Sequence, residues 1–194
     1  MNLPDSVVLS TRNPHKLREF GRLLAPAGIA VQPLPEDVEL PPEVGDTFEA
    51  NALPKARAAA AATGRVAVAD DSGLQADALG GAPGVYSARY AGLTASDQEN
   101  LDKLLAEAPA GSGLRYVCAL AVVDPETGQE ELFRGECRGV LAERVAGEGG
   151  FGYDPAFVPA DDPSGRTMAQ LSDAEKDRIS HRGRAVQALL ASRA

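Results

Sequence analysis

Hydrophobic positions along the chain switch between two periods, and the switches mark out its elements. Ser6–Thr11 is a short β-branched run that predicts a strand, broken by Asn13-Pro14. Leu17, Phe20 and Leu24 then recur at helical spacing as far as Gly28. The stretch 29–33 predicts a second strand, and 34–46, rich in Pro, Glu and Asp, a loop. From Thr47 the pattern is helical, with an alanine-rich run from Ala56 to Ala62 closed by Gly64. Pro54 is expected near the first turn of that helix or at a kink in it. Val66–Ala69 reads as a short buried strand ending in Asp70-Asp71-Ser72-Gly73, with a glycine-rich loop over 73–92. Ser96-x-x-Glu99 is a capping box that starts a helix carrying Leu101, Leu104, Leu105 and Ala108. Residues 116–123 and 130–138 flank a Pro-Glu-Thr-Gly turn and predict a hairpin. Gly147–Asp154 is a second glycine-rich loop, and Ser172-x-x-Glu175 caps a last helix with Val186, Leu189 and Leu190. There is no internal repeat, low-complexity tract or linker. Early alternation and a late hairpin predict one α/β domain over 1–194 with a mixed sheet.

Composition narrows the class. Of 194 residues, 44% are hydrophobic, enough for a real core. No run of about 20 apolar residues exists, so no membrane span is expected. The start, MNLPDSVVLST, has neither a basic segment nor a long apolar one, so no secretory leader is expected. Cys118 and Cys137 make neither a disulfide framework nor a metal site, and a cytoplasmic location follows as the default. A net charge of -9 argues against a nucleic-acid partner. Basic residues nonetheless cluster at Arg12, His15, Lys16 and Arg18 and again at Lys176, Arg178, His181, Arg182 and Arg184. Two such clusters either hold a small anion or are solvated helix faces.

Five segments could carry chemistry. Ser10–Lys16 runs from a strand into a helix N-terminus, where backbone N–H groups, Thr11, Asn13 and Lys16 suit a phosphate. It is no P-loop, and a capped helix with surface charges fits it too. Asp70-Asp71 at the end of a buried strand lies where α/β folds place ligands; the pair calls for Mg²⁺, for a proton-accepting role, or for an exposed Asx-turn. Glu43 alone is an acidic loop residue. Gly149–Pro155 puts Phe151 and Tyr153 in a glycine loop suited to stacking on a base, or to packing on the sheet. On an unbroken helix Lys176 and His181 would lie roughly 140° apart, at about 100° per residue. Either the helix breaks near 178–180 and they converge on one ligand, or they are separate surface charges.

Together these segments resemble the inosine triphosphate pyrophosphatase family, the non-standard purine NTP pyrophosphatases. The matching residues are Thr11-x-Asn13-x-x-Lys16, Thr47-Phe48 with Asn51-Ala52 and Lys55-Ala56, Ala69–Leu74, Gly80–Tyr90, Gly149–Pro155 and Ser180–Gly183. They follow the family's order over nearly the whole chain.

The resemblance implies an elongated mixed β-sheet flanked by helices, in two lobes with the active-site cleft between them, and a homodimer. It implies hydrolysis of ITP, dITP and XTP to the monophosphate and pyrophosphate. Thr11, Arg12, Asn13, Pro14, His15 and Lys16 would hold the triphosphate, with Lys55 nearby. Glu43 and Asp71 would bind Mg²⁺, with Asp70 alongside; Asp71 would take the proton of the attacking water, and Ser72 would touch substrate. Phe151, Gly152, Tyr153, Asp154, Lys176, His181 and Arg182 would surround the base. Donors aimed at a 6-keto oxygen would reject adenine, whose 6-amino group is itself a donor.

This chain departs from the family at three places. Ala50 stands where a glutamate is usual, Glu49 lies on another helix face, and Arg12 and Pro54 are uncommon. Asp70, Asp71 and Lys16 are all kept, which predicts an active enzyme. An aspartate-nucleophile phosphatase would need Asp-x-Asp after the first strand, where Ser10-Thr11-Arg12 stands. A catalytically silent nucleotide sensor would lack the paired aspartates. A pyrimidine-directed pyrophosphatase is the remaining rival.

Overall fold

A computed structural model of the chain describes residues 3–193. Met1 and Asn2 of the N-terminal reading, and Ala194 at the end of the 1–194 span, lie outside them. Six strands, β1 (Ser6–Leu9), β2 (Ala30–Pro33), β3 (Ala67–Ala76), β4 (Gly113–Val123), β5 (Glu130–Leu141) and β6 (Phe157–Pro159), are ordered β2-β1-β3-β4-β5-β6. β1 runs parallel to β2 and β3, with Val8 opposite Ala67 and Leu9 opposite Val68; β5 and β6 are antiparallel, with Val140 opposite Val158. The sheet is therefore mixed. Its helices are α1 (Pro14–Leu24), α2 (Phe48–Thr63), α3 (Asp97–Glu107), α4 (Asp173–Ile179) and α5 (His181–Ala191). Among the described residues no helix is long and apolar enough to cross a membrane.

The chain divides into two compact units, and the strands β3, β4 and β5 each contribute to both. Among the described residues, the first unit takes 3–71, 118–135 and 182–193; the second takes 72–117 and 136–181. Each has its own core. In the first, Val7, Leu9, Phe20 and Leu24 pack with Leu120, Val122, Val186 and Leu189. In the second, Leu74, Leu101, Leu104 and Leu114 pack with Phe157, Met168 and Leu171.

Local sequence explains most ends. Asn13 caps α1 with Pro14 in its first turn, Thr47 caps α2, and Gly64 closes α2 at φ 63°. Ser96 and Ser172 each form a full capping box, with Glu99 and Glu175. Of the two places expected for Pro54, the structure excludes the first turn: it lies well inside α2. Its missing N–H costs the carbonyl of Ala50 a helical partner, and Ala50 is exposed. Two expectations need correcting. β3 does not stop at Ala69 but runs through Asp70-Asp71-Ser72-Gly73 to Ala76, because almost all of that stretch is buried and pairs as strand. The last helix is two helices: Ser180, extended at ψ 158°, ends α4 and leads into α5. The short strand β6 carries no period long enough to read in advance.

Candidate active site

In the first unit, charged side chains from four segments gather around the adjacent residues Asp70 and Asp71. Successive strand residues point to opposite faces, so the two carboxylates have different neighbours. Asp70 Oδ2 meets Lys16 Nζ at 3.0 Å and Arg182 Nε at 3.4 Å. Burial alone would push its carboxyl up, but Lys16, Arg182 and Lys55 hold it well below the ordinary carboxylate range. Arg182 Nη1 also donates to Glu19 Oε2 at 2.9 Å.

Asp71 faces the other set. Asn51 Nδ2 donates to its Oδ2 at 3.0 Å, and Lys55 Nζ lies 3.7 Å from its Oδ1. Lys55 donates in turn to Glu43 Oε1 at 2.5 Å and to the backbone oxygen of Asp70 at 2.8 Å. Burial raises the Asp71 pKa; Glu43 adds to this, while Lys55 and Asn51 oppose it. The Lys55 ammonium is lowered by burial, yet Asp70, Asp71 and Glu43 outweigh that and hold it above its usual value. Glu43 and Asp71 thus direct two hard oxygens at one cation. Among the described residues there is no cage of three or more His, Cys, Asp or Glu, so a metal here would take its remaining ligands from substrate and water.

Asn51 was not foreseen as a site residue. It sits one turn before Lys55 on the same face of α2, the i, i+4 relation that could have flagged it. Its Oδ1 accepts the Gly45 N–H at 2.7 Å, which ties the Glu43 loop to α2. A Cβ on Gly45 would come within 2.7 Å of the Ala50 Cβ, so this close approach requires glycine. Glu49 pairs instead with Arg134 at 2.6 Å.

At the start of α1 the expected open amides are largely engaged. Asn13 Oδ1 accepts from the N–H groups of His15 at 2.8 Å and Lys16 at 3.4 Å, and Thr11 Oγ1 accepts from Asn13 N–H at 3.1 Å. Pro14 has no N–H. What this turn presents is chiefly the Lys16 charge and the helix dipole. The Arg12 guanidinium turns to the loop after β2 and donates to the carbonyls of Leu34, Pro35, Glu36 and Val38. His15 Nδ1 meets Arg18 at 2.8 Å. A 380 Å³ pocket lined by Thr11, Arg12, Asn13, Pro14, Leu17 and the 33–36 segment includes neither Lys16 nor the carboxylates.

The second unit gathers a different set. Asp154 Oδ2 accepts from Lys176 Nζ at 2.6 Å and from the Phe151 N–H at 2.9 Å; its Oδ1 accepts from the Tyr116 hydroxyl at 3.1 Å. Lys176 lies 5.3 Å from the Phe151 ring centroid, and the His181 ring stacks on Tyr116 at 4.6 Å and 8°. The break at Ser180 is what brings Lys176 and His181 to one cluster. Gly150, at φ +69°, lets the loop wrap Asp154: a Cβ there would lie 2.0 Å from Asp154 Oδ2. Tyr153 is buried and donates to the Ser87 carbonyl at 2.7 Å, and the Gly152 N–H goes to Asp97 at 3.0 Å. Ser72 is half-buried, next after Asp71 in β3. Arg182, grouped in advance with the base residues, is brought to Asp70 and Glu19 in the first unit.

Residues 7–192 match the Ham1 family. A protein of Symbiobacterium thermophilum named dITP/XTP pyrophosphatase is 54% identical over 93% of this chain and 90% of its own length. One of Mycobacterium bovis with the same name is 47% identical over 98% and 96%. The solved structure of a HAM1 protein from Coxiella burnetii matches with a TM-score of 0.83 at 38% identity, covering 97% of this chain and 99% of that one. The Staphylococcus aureus Ham1 structure matches at 0.81 and 38%, covering 96% and 97%. With its motifs, its sheet and nearly its whole length shared with these proteins, the chain belongs to the Ham1 family.

Proposed function

We propose that the chain hydrolyses non-standard purine nucleoside triphosphates (ITP, dITP and XTP) to the monophosphate and pyrophosphate, as one pyrophosphatase domain spanning 1–194. The observation that carries this reading is the division of labour at Asp70 and Asp71. Asp70 holds Lys16 and Arg182 as fixed cations, while Asp71 shares a lysine with Glu43. The names of the relatives, dITP/XTP pyrophosphatase, support the substrate class.

Glu43 and Asp71 fit Mg²⁺, a hard cation that pairs one or two carboxylates with phosphate oxygens. Bound there, it would neutralise triphosphate charge and stabilise the leaving group. The chain's own residues do the rest. Lys16 and Lys55 meet phosphate oxygens, and Asp70 keeps Lys16 in place. Asp71 accepts a proton from the water that attacks the α-phosphorus. The bond from that phosphorus to the bridging oxygen breaks, and pyrophosphate leaves. Phe151 stacks on the base, and Lys176 and His181 donate to its 6-keto oxygen. The working form is a homodimer in the cytoplasm, checked by light scattering for a particle of two chains.

The test is product identity. With ITP and magnesium, IMP and pyrophosphate should appear in equal amounts, with XTP accepted and ATP turned over far more slowly. Release of orthophosphate and IDP would overturn the reaction assigned. Equal rates on ITP, XTP, GTP and ATP would overturn the base assignment.

A further inference from the structure

Lys176 and His181 sit on two helices, either side of the extended residue Ser180. Nothing in their sequence spacing fixes the angle of one against the other, yet two donors read one base edge only if that angle is held. A side chain from β4 links the two, touching His181 directly and Lys176 through Asp154. The Tyr116 ring lies parallel to the His181 imidazole, at 4.6 Å and 8°. Phe157 also lies against its ring, at 4.6 Å and 36°. Its hydroxyl donates to Asp154 Oδ1 at 3.1 Å, and the other oxygen of that carboxylate holds Lys176 and the Phe151 amide. Tyr116 is 7% exposed, so its hydroxyl has little access to water and depends on this partner.

We infer that Tyr116 is the positioning residue of the base site. Its ring sets the plane of His181, and its hydroxyl ties that plane to the Asp154–Lys176 pair. One carboxylate thereby anchors the imidazole plane, the ammonium and the stacking loop together. This rests on the reading of Lys176 and His181 as base-recognition residues, so the experiment separates the two.

Kinetic constants for ITP and ATP are compared in the wild type, Tyr116→Phe, Tyr116→Leu and His181→Ala. Tyr116→Phe keeps the stack and loses the hydroxyl. It should lower the ITP-over-ATP preference in kcat/KM by roughly threefold to tenfold, mostly through KM for ITP, with kcat within about twofold. Tyr116→Leu should lower the preference by more than about tenfold, and the His181 ring protons should lose the upfield ring-current shift that Tyr116→Phe retains. If His181→Ala collapses the preference while both Tyr116 variants keep it, Tyr116 is only a core residue and the inference is wrong. If His181→Ala itself leaves the preference intact, the base-site reading fails, and the inference with it. A lowered melting temperature with an unchanged preference in Tyr116→Phe also counts against it.

Discussion

The two units solve opposite problems with buried charge. In the first, Asp70, Asp71, Glu43 and Glu19 are interleaved with Lys16, Lys55 and Arg182, and Asp70, Lys55 and Arg182 each pair with two partners. In the second, the buried pair Lys176 and Asp154 meets Phe151 and Tyr116, and His181 stacks on Tyr116. A triphosphate brings several charges that must be met and redistributed as a bond breaks, so a network of cations suits it. A purine is neutral and flat, so aromatic faces and a few directed donors suit it better. Under the proposed function, the first unit would serve turnover and the second choice.

The most damaging way to probe this contrast is Asp71→Asn. It removes the proton acceptor and one metal-facing oxygen, and should cut kcat by roughly 10²- to 10⁴-fold. The circular dichroism spectrum and KM for ITP should change little. Near-normal turnover would break the assignment of chemistry to the first unit.

Asp154→Asn attacks the other side. It leaves the Lys176 ammonium buried without its counter-charge and should cost about 3–5 kcal/mol of stability, read from denaturant unfolding. In the folded fraction KM should rise and ITP-over-ATP preference fall. An equal loss confined to kcat would erase the distinction between the units.

Gly150→Ala is milder. Alanine is strained at φ +69°, and its methyl would collide with Asp154, so a loss of about 1–3 kcal/mol and a raised KM are expected. Smallest of all is Glu49→Gln. Its pair with Arg134 is largely solvated, so stability should change by less than about 1 kcal/mol, with kcat unaffected. A large activity loss there would mean that Glu49 substitutes for the glutamate missing at position 50.

Part of this was legible in local sequence. The capping boxes at Ser96 and Ser172 placed two helix starts, and of the two readings open for Lys176 and His181, a break near 178–180 or separate surface charges, Ser180 supplies the break. What stayed hidden was set by distance along the chain. Arg12 finds its carbonyl partners 22 to 26 residues away, and Arg182 finds Asp70 112 residues away. No periodicity reports such pairings. Tyr116 hid for another reason: it opens an apolar run and looks like core, which in part it is. Its hydroxyl was the clue, since a buried phenol needs an acceptor. The end of β3 was misplaced because Asp-Asp-Ser-Gly has turn composition, whereas burial and strand pairing keep it extended.

Those adjacent aspartates carry one more consequence. Identical in type, they owe their separate duties to whether each stands at an odd or an even place in β3. A one-residue slip of that strand would hand Asp71 to Lys16 and Arg182 and turn Ser72 toward Glu43. The motif would still read Asp-Asp-Ser-Gly, yet the carboxylate pair on Lys55 would be gone. In engineered indels or distant relatives, then, parity along β3 is the feature to inspect, and an insertion of two residues is expected to be gentler than an insertion of one.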